Sequence, residues 1–366
     1  KGHPEYRMSG LFLAQRLEVQ GGALHLDLQI GDGEKLVAIV AVPFEDGQAS
    51  GFPETARLLN DGLRGQELAT DLPEGQWVVY VFVRRFMVGT FFGSYLDTLS
   101  GDAVRRFIAL SHDRYAQRFE DDFGATIEGI FTDEPSMNFN ARDAAPWTPE
   151  LPGEFGWRKG YDLLIVLPAL FEDLGPATAH IRCDVYDVVT ELYSENFFGQ
   201  IYRWCDRRRI KLMGHPMQEG ELIEHARQQG DWFRIMRYMH WGGVDQLCEL
   251  TWPEQGGHLN NLAGPKLAAS AAHLLGKSRT DCECFGLGSQ WSIDLRTLKW
   301  MGDWLACMGV NFFIPHAFYY SIQGFRKWEC PPGEFYQSPF WPYYRAFADH
   351  IGRLAALLSN GTHVAD

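Results

Sequence analysis

Arg279-Thr280-Asp281-Cys282-Glu283-Cys284-Phe285, then Asp294–Met308 ending at Gly309, then Val310–Phe318, is the stretch on which the fold turns. The first and third segments read as short strands between turn residues, and the middle one as a helix that a glycine stops. Strand, helix, strand in about 40 residues is the unit of a parallel sheet. Working outward, the same rhythm begins near residue 91. Ser94–Thr98 reads as a strand. Val104, Phe107, Ile108, Ser111, Tyr115 and Phe119 then fall at helical spacing, with Ser100 or Asp102 as cap. Ile127–Asp133 is the next strand, followed by a long loop rich in Pro and Gly and a helix over Asp184–Arg208. Ile210–His215, Val244–Leu250, Arg279–Phe285 and Val310–Phe318 complete six strands. Their helices are Glu221–Trp241, Pro265–Leu275, Asp294–Met308 and Trp341–Leu358. Six strand–helix units make either an open doubly wound sheet or most of an eight-stranded barrel. No GxGxxG follows a strand, so the barrel is the expectation.

Residues 10–90 have a different character. Leu24, Leu26, Leu28 and Ile30 alternate with polar residues, and Leu36–Val42 and Trp77–Val83 are β-branched runs, so only Pro53–Gly65 is left for a helix. The expected organisation is a β-rich insert module over 1–90 and a (β/α)8 TIM-type barrel portion over 91–358. The latter would hold barrel strands three to eight, and 359–366 would begin a following segment. Strands one and two would lie before Lys1. The chain starts Lys-Gly-His and has no charged-then-apolar leader, which suggests an excerpt of a longer protein.

Composition narrows the function. With 47 acidic and 33 basic side chains the net charge is −14, which argues against a nucleic-acid partner. The longest strongly apolar run, Leu163–Phe171, contains Pro168 and is far short of the about 20 residues of a membrane span. Seven cysteines without a CxxC do not form a disulfide framework. Aromatic residues reach 14%, including 12 Trp, which suits both sugar platforms and core filling. Oligomeric state and compartment have no sequence signal.

In such barrels chemistry gathers where strands end, and these ends are polar: Tyr95-Leu96-Asp97, Asp133-Glu134-Pro135, His215-Pro216 with Glu219, Asp245 with Glu249, Asp281-Cys282-Glu283, and His316 through Tyr320. Alternation puts Asp281 and Glu283 on one strand face and Cys282 and Cys284 on the other. The cysteines suit the helix-packed layer, which turns Glu283 into the barrel. A carboxylate there is either used or held structurally by Arg279 or Lys299. Pro135 favours an extended Glu134 whose side chain projects over the barrel mouth, although acids also collect at helix starts. Two carboxylates from different strands facing one cavity are what glycoside hydrolysis needs, one as acid and one as base or nucleophile. Asp97, Asp133, His215, Glu219, His316 and Tyr320 would hold sugar hydroxyls. Trp291, Trp241 and Trp252 could each be a sugar platform, although any one of them is better explained as core; Trp291 is the one assigned to the substrate. His215 and Glu219 have the spacing of a metal pair, but Pro216 breaks the helix that would align them, so no metal ligand is assigned. Gly276-Lys277-Ser278 lacks the glycine of a phosphate loop.

Phe131-Thr132-Asp133-Glu134-Pro135-Ser136 resembles a strand end of large bacterial glycoside hydrolases. Gly160-Tyr161-Asp162-Leu163, Leu167–Phe171, Gly214-His215, Lys299-Trp300, Gly302-Asp303-Trp304, Gly309-Val310-Asn311, Tyr319-Tyr320-Ser321 and Arg326-Lys327 belong to the same pattern. Over about residues 70–358 the chain is similar to the α-L-rhamnosidases of glycoside hydrolase family 106. The resemblance implies a catalytic barrel within a longer bacterial protein, periplasmic or secreted. It also implies inverting hydrolysis of terminal α-L-rhamnose or a similar deoxy sugar, with Glu134 as general acid, Glu283 as general base and a calcium ion near the sugar. The residues alone leave two alternatives open: a retaining β-galactosidase-like enzyme, and a barrel that binds carbohydrate without cleaving it.

Overall fold

The computed structural model describes residues 6–87, 94–139, 142–247, 260–287 and 290–364. Its strands are β1 (Ser9–Asp27), β2 (Lys35–Glu45), β3 (Gln48–Ala49), β4 (Arg57–Leu58), β5 (Leu63–Arg64), β6 (Glu67–Phe86), β7 (Gly129–Asp133), β8 (Ala144–Trp147), β9 (Lys211–His215), β10 (Val244–Gln246), β11 (Asp281–Cys284) and β12 (Phe312–Pro315). The chain divides into two compact units. One comprises Lys1–Arg114 with Met137–Phe197, the other Tyr115–Ser136 with Phe198–Asp366.

The first unit is built on an antiparallel sheet of order β3-β2-β6-β1-β8, with β4 and β5 pairing at its margins. β1 and β6 run side by side from Ser9↔Phe86 to Asp27↔Glu67, with register shifts between Leu13 and Gln15 and between Gln20 and Gly22. Ile39, Ala41, Leu68, Trp77, Val79 and Val81 form its core with Leu24 and Leu28. The segment Pro53–Gly65 forms no α-helix: it holds the short strands β4 and β5 and a 3-10 turn at Asn60–Gly62. The Pro/Gly-rich stretch after Asp133 is more than a loop. It holds β8, which pairs with β1, and helices Leu151–Lys159 and Leu163–Val166. β8 escaped the sequence reading because four residues with a central Pro look like loop. An edge strand tolerates a proline, since one of its sides has no ladder to complete. Tyr80 and Arg16 on the sheet both donate to the Glu172 carboxylate, at 2.8 and 3.0 Å.

Ser94–Thr98 forms no strand. Leu96 makes only an isolated antiparallel bridge to Arg7. Asp97 explains the difference: its carboxylate accepts from Leu99 N at 3.1 Å, which turns the chain into the helix Gly101–Leu110.

The second unit carries the strand–helix alternation. β7 pairs in parallel with β9, and β10, β11 and β12 pair in parallel in that order. Backbone hydrogen bonds His240 N→Leu212 O, Trp241 N→Leu212 O and Gly243 N→Gly214 O join the approach to β10 onto β9. Five strands thus follow one another in chain order. Helices Gln200–Arg207, Leu222–Gln228, Trp232–Met236, Asn260–Leu274, Leu295–Met308 and Tyr344–Ser359 lie along the connections and after β12. This is the expected barrel order with five strands, not six, and among the described residues it does not close into a complete barrel. The proposed Glu221–Trp241 helix is two short ones because Asp231 caps a new start, accepting from Phe233 N at 2.9 Å. Cys282 and Cys284 are fully buried on the face away from Glu283, and the six described cysteines form no disulfide. No described helix is long and apolar enough to cross a membrane.

β9 and β11 come within hydrogen-bonding reach of one another. Asp281 on β11 reaches past β10 to accept from Gly214 N at 2.7 Å. Two glycines permit this. Gly214 has φ +108 and a Cβ there would stand 2.0 Å from Thr132 O, while a Cβ on Gly243 would stand 2.1 Å from Asp281 Oδ1. Gly214→Ala is therefore expected to destabilise the protein by about 2–4 kcal/mol, from left-handed strain and backbone overlap together. A fall in thermal midpoint checks this, and an unchanged midpoint would show that this approach has room to spare.

Candidate active site

The register of the parallel pairs sets the site. Asp133 lies opposite His215 across β7 and β9, and Asp245 opposite Glu283 across β10 and β11. Register partners in a sheet share a face, so four polar side chains stand on one face of the second unit. The curl brings the outer ones together. The buried His215 donates from Nε2 to Glu283 Oε2 at 3.0 Å. Its Nδ1 faces Pro216 O at 3.1 Å and Glu219 Oε1 at 3.5 Å. Asp133 Oδ1 is 4.0 Å from His215 Nε2, and His316 Nε2 is 4.0 Å from Glu283 Oε1. Neither of the structural partners considered for Glu283 is engaged with it. Arg279 stacks over Trp241 and Phe312, and Lys299 pairs with Asp303.

His215 and Glu219 meet without a helix, because the chain turns back at Gln218 in the left-handed region, φ +65. Glu219 is buried and its Oε1 accepts from Asp245 N at 3.0 Å, so it braces the site from beneath. Glu134 departs from expectation in the same way: its φ is +45, not extended. Pro135 cannot continue the ladder, and the exit from β7 is made at Glu134 itself. Phe285, just beyond β11, has φ +78. Left-handed non-glycine residues cost about 1–3 kcal/mol each and persist where the surroundings fix them, which is common at active sites.

The same surroundings push the two carboxyls in opposite directions. Burial raises the Glu134 pKa, only partly countered by His215 and reinforced by the charges of Glu219, Asp133 and Glu283. Burial alone would also raise Glu283, but the hydrogen bond and charge of His215 outweigh it and hold the group below the usual Glu range. Burial opposes charge on His215, yet Glu219 and Glu283 lift its pKa well above the ordinary histidine value, so it carries a proton and donates from both nitrogens.

The other sequence candidates are placed as follows. His316 stands beside Glu283 with a buried, unpartnered Nδ1. Tyr320 is 89% exposed on the segment after β12, and its carbonyl accepts from Tyr336. Trp291 sits in a 3-10 turn with Nε1 donating to Lys327 O at 2.7 Å. Asp97 belongs to the first unit and is not among the residues gathered on these strands. Its carboxylate is engaged by Leu99 N and by the Thr148 hydroxyl at 2.9 Å. Glu249 and Trp252 lie outside the described residues. Asp245, never singled out as a site residue from the sequence, belongs to the centre. The signal for it was register, since it is the counterpart of Glu283 one strand earlier.

Asp133, His215 and Glu283 hold donor atoms within 4.8 Å of one another. They do not fit the calcium ion that the family resemblance implies. Calcium takes six to eight oxygen ligands, whereas this trio is centred on an imidazole whose Nε2 already holds a proton against Glu283.

Two carboxyls, Glu134 and Glu283, thus have their pKa values pushed in opposite directions beside the buried His215. The family profile for alpha-L-rhamnosidase, glycoside hydrolase family 106, matches residues 85–366. The chain belongs to that family. A curated protein of Formosa agariphila named "Putative beta-glucuronidase" is 24% identical over 287 residues, covering 75% of this chain and 22% of its own length. The structure of a rhamnosidase from Novosphingobium sp. PP1Y superposes with a TM-score of 0.67 at 17% identity, over 99% of this chain and 46% of the other. The chain thus spans less than half the length of either protein.

Proposed function

We propose that this chain supplies the acid and the base of an inverting glycosidase that removes terminal α-L-rhamnose, or a similar deoxy sugar, from a glycan or glycoside. The observation that carries this is the opposite perturbation of Glu134 and Glu283 around His215, because pairs of carboxyls pushed apart in this way take the acid and base roles. Glu134, whose pKa burial raises, gives its proton to the departing glycosidic oxygen as the bond to the anomeric carbon breaks. Glu283, kept ionised, takes a proton from a water whose oxygen bonds to that carbon from the opposite face. The proton gained by Glu283 and the one lost by Glu134 then exchange with solvent. His215 holds Glu283 in its ionised state and orientation. Asp133, His316 and Tyr320 are assigned to sugar hydroxyls, Trp291 to the platform. The carbohydrate is the partner this site is built for.

The test is a panel of nitrophenyl glycosides offered to the full-length protein, with the released sugar followed by NMR. Cleavage of the α-L-rhamnoside with the β anomer appearing first is expected. The α anomer first would replace inversion by retention. Cleavage of the β-D-glucuronide alone would replace the sugar.

A further inference from the structure

We infer that Asp245 is a sugar-recognition residue of this site, donating a hydrogen bond from a neutral carboxyl group to one hydroxyl of the bound sugar. The inference deepens the glycosidase reading and rests on it. Three observations point the same way. Asp245 is the register partner of Glu283, so its side chain stands on the face that carries the proposed base. Its backbone is pinned, with Asp245 N donating to the buried Glu219 carboxylate at 3.0 Å, so the side chain starts from a fixed point. Its Oδ1 is buried and has no hydrogen-bond partner. A buried oxygen without a partner is costly, and far more so if it carries charge, which favours the neutral carboxyl.

The charge environment decides which kind of partner it wants. Asp245 faces Glu134 from the end of β7, His215 and Glu219 from β9 and the turn after it, and Glu283 from β11. Burial is the main cause lifting its pKa to about 8, opposed by the His215 imidazolium and helped by the charges of Glu219 and Glu283. At neutral pH the group is therefore mostly a carboxylic acid with an O–H to give. A sugar hydroxyl oxygen at the open part of the side chain can accept that proton. Glu283 and Glu134 remain free for the chemistry.

The experiment uses the full-length protein and whichever aryl glycoside of the panel it cleaves fastest, together with analogues of that glycoside lacking one ring hydroxyl each. Asp245→Ala is expected to lower kcat/KM by about 10- to 100-fold, chiefly through KM. Asp245→Asn keeps a donor and an acceptor without charge and is expected to stay within about fivefold of wild type. One deoxy analogue should lose its penalty in Asp245→Ala while the others keep theirs, the coupling expected of a direct contact. Thermal midpoints of both variants check folding. An Asn variant that falls as far as Ala at an unchanged midpoint would show that Asp245 acts as an anion. Equal penalties for every analogue in wild type and Asp245→Ala would show no contact with the sugar. Either result overturns the assignment. A wild type that turns over no glycoside overturns the glycosidase reading, and this assignment with it.

Discussion

Glu283→Gln is expected to lower kcat by about 10²–10⁴-fold on an aryl rhamnoside, the span that general acid–base help contributes. The substitution keeps the shape of the side chain and leaves an amide oxygen to accept from His215 Nε2, so the 3.0 Å contact and the fold should survive. What disappears is the proton acceptor for water. Sugar binding should persist, which separates a chemical loss from a collapsed site. The pH profile carries the sign. A base works only when ionised, so the rate falls as pH drops through its pKa. The His215 imidazolium holds that pKa below the ordinary Glu value, so wild type should retain activity on the acid side to a lower pH than an unperturbed Glu would allow. Glu283→Gln should remove that limb altogether. A variant that keeps wild-type kcat would end the role of Glu283.

The second large effect depends on the leaving group. Glu134→Gln is expected to cost about 10²–10⁴-fold on a glycoside with an alkyl alcohol as leaving group, and very little on a dinitrophenyl glycoside, whose phenolate departs without a proton. Burial and neighbouring carboxylates raise the Glu134 pKa. The acid is lost as pH rises through that raised value, so the alkaline limb of the wild-type profile should lie above the usual carboxylate range and vanish in the variant. Equal losses on both substrates would remove Glu134 as proton donor.

Much of this was legible in the residues, and what was hidden was hidden for identifiable reasons. Glu283 could be read because cysteines flank it: small buried side chains at the alternate positions left one face for the acids. Glu134 could be read from its place before a proline at a strand end, but its left-handed backbone could not, because Pro135 alone argues for an extended predecessor. Asp97 resembled the other strand-end acids. Only the following Thr98-Leu99-Ser100 marks it as a turn residue, and that local signal competed with the strand rhythm. Asp245 sits in a three-residue strand, Val244–Gln246, too short for periodicity to show, and its relation to Glu283 exists only through pairing across two strands. β8 was hidden for a similar reason, since its partner β1 lies more than a hundred residues earlier in the chain.

That pairing has a bearing on how the polypeptide is made. Ser9 pairs with Trp147, and Phe12 with Ala144, while β7 and Glu134 lie between these partners in the chain. The path also passes back and forth, with Met137–Phe197 returning to the first unit before β9 begins. On a ribosome the outer margin of β1 therefore waits uncovered until after the acid-bearing strand has emerged, a window in which a sheet edge is open to wrong partners. No single break in the chain can liberate either unit whole.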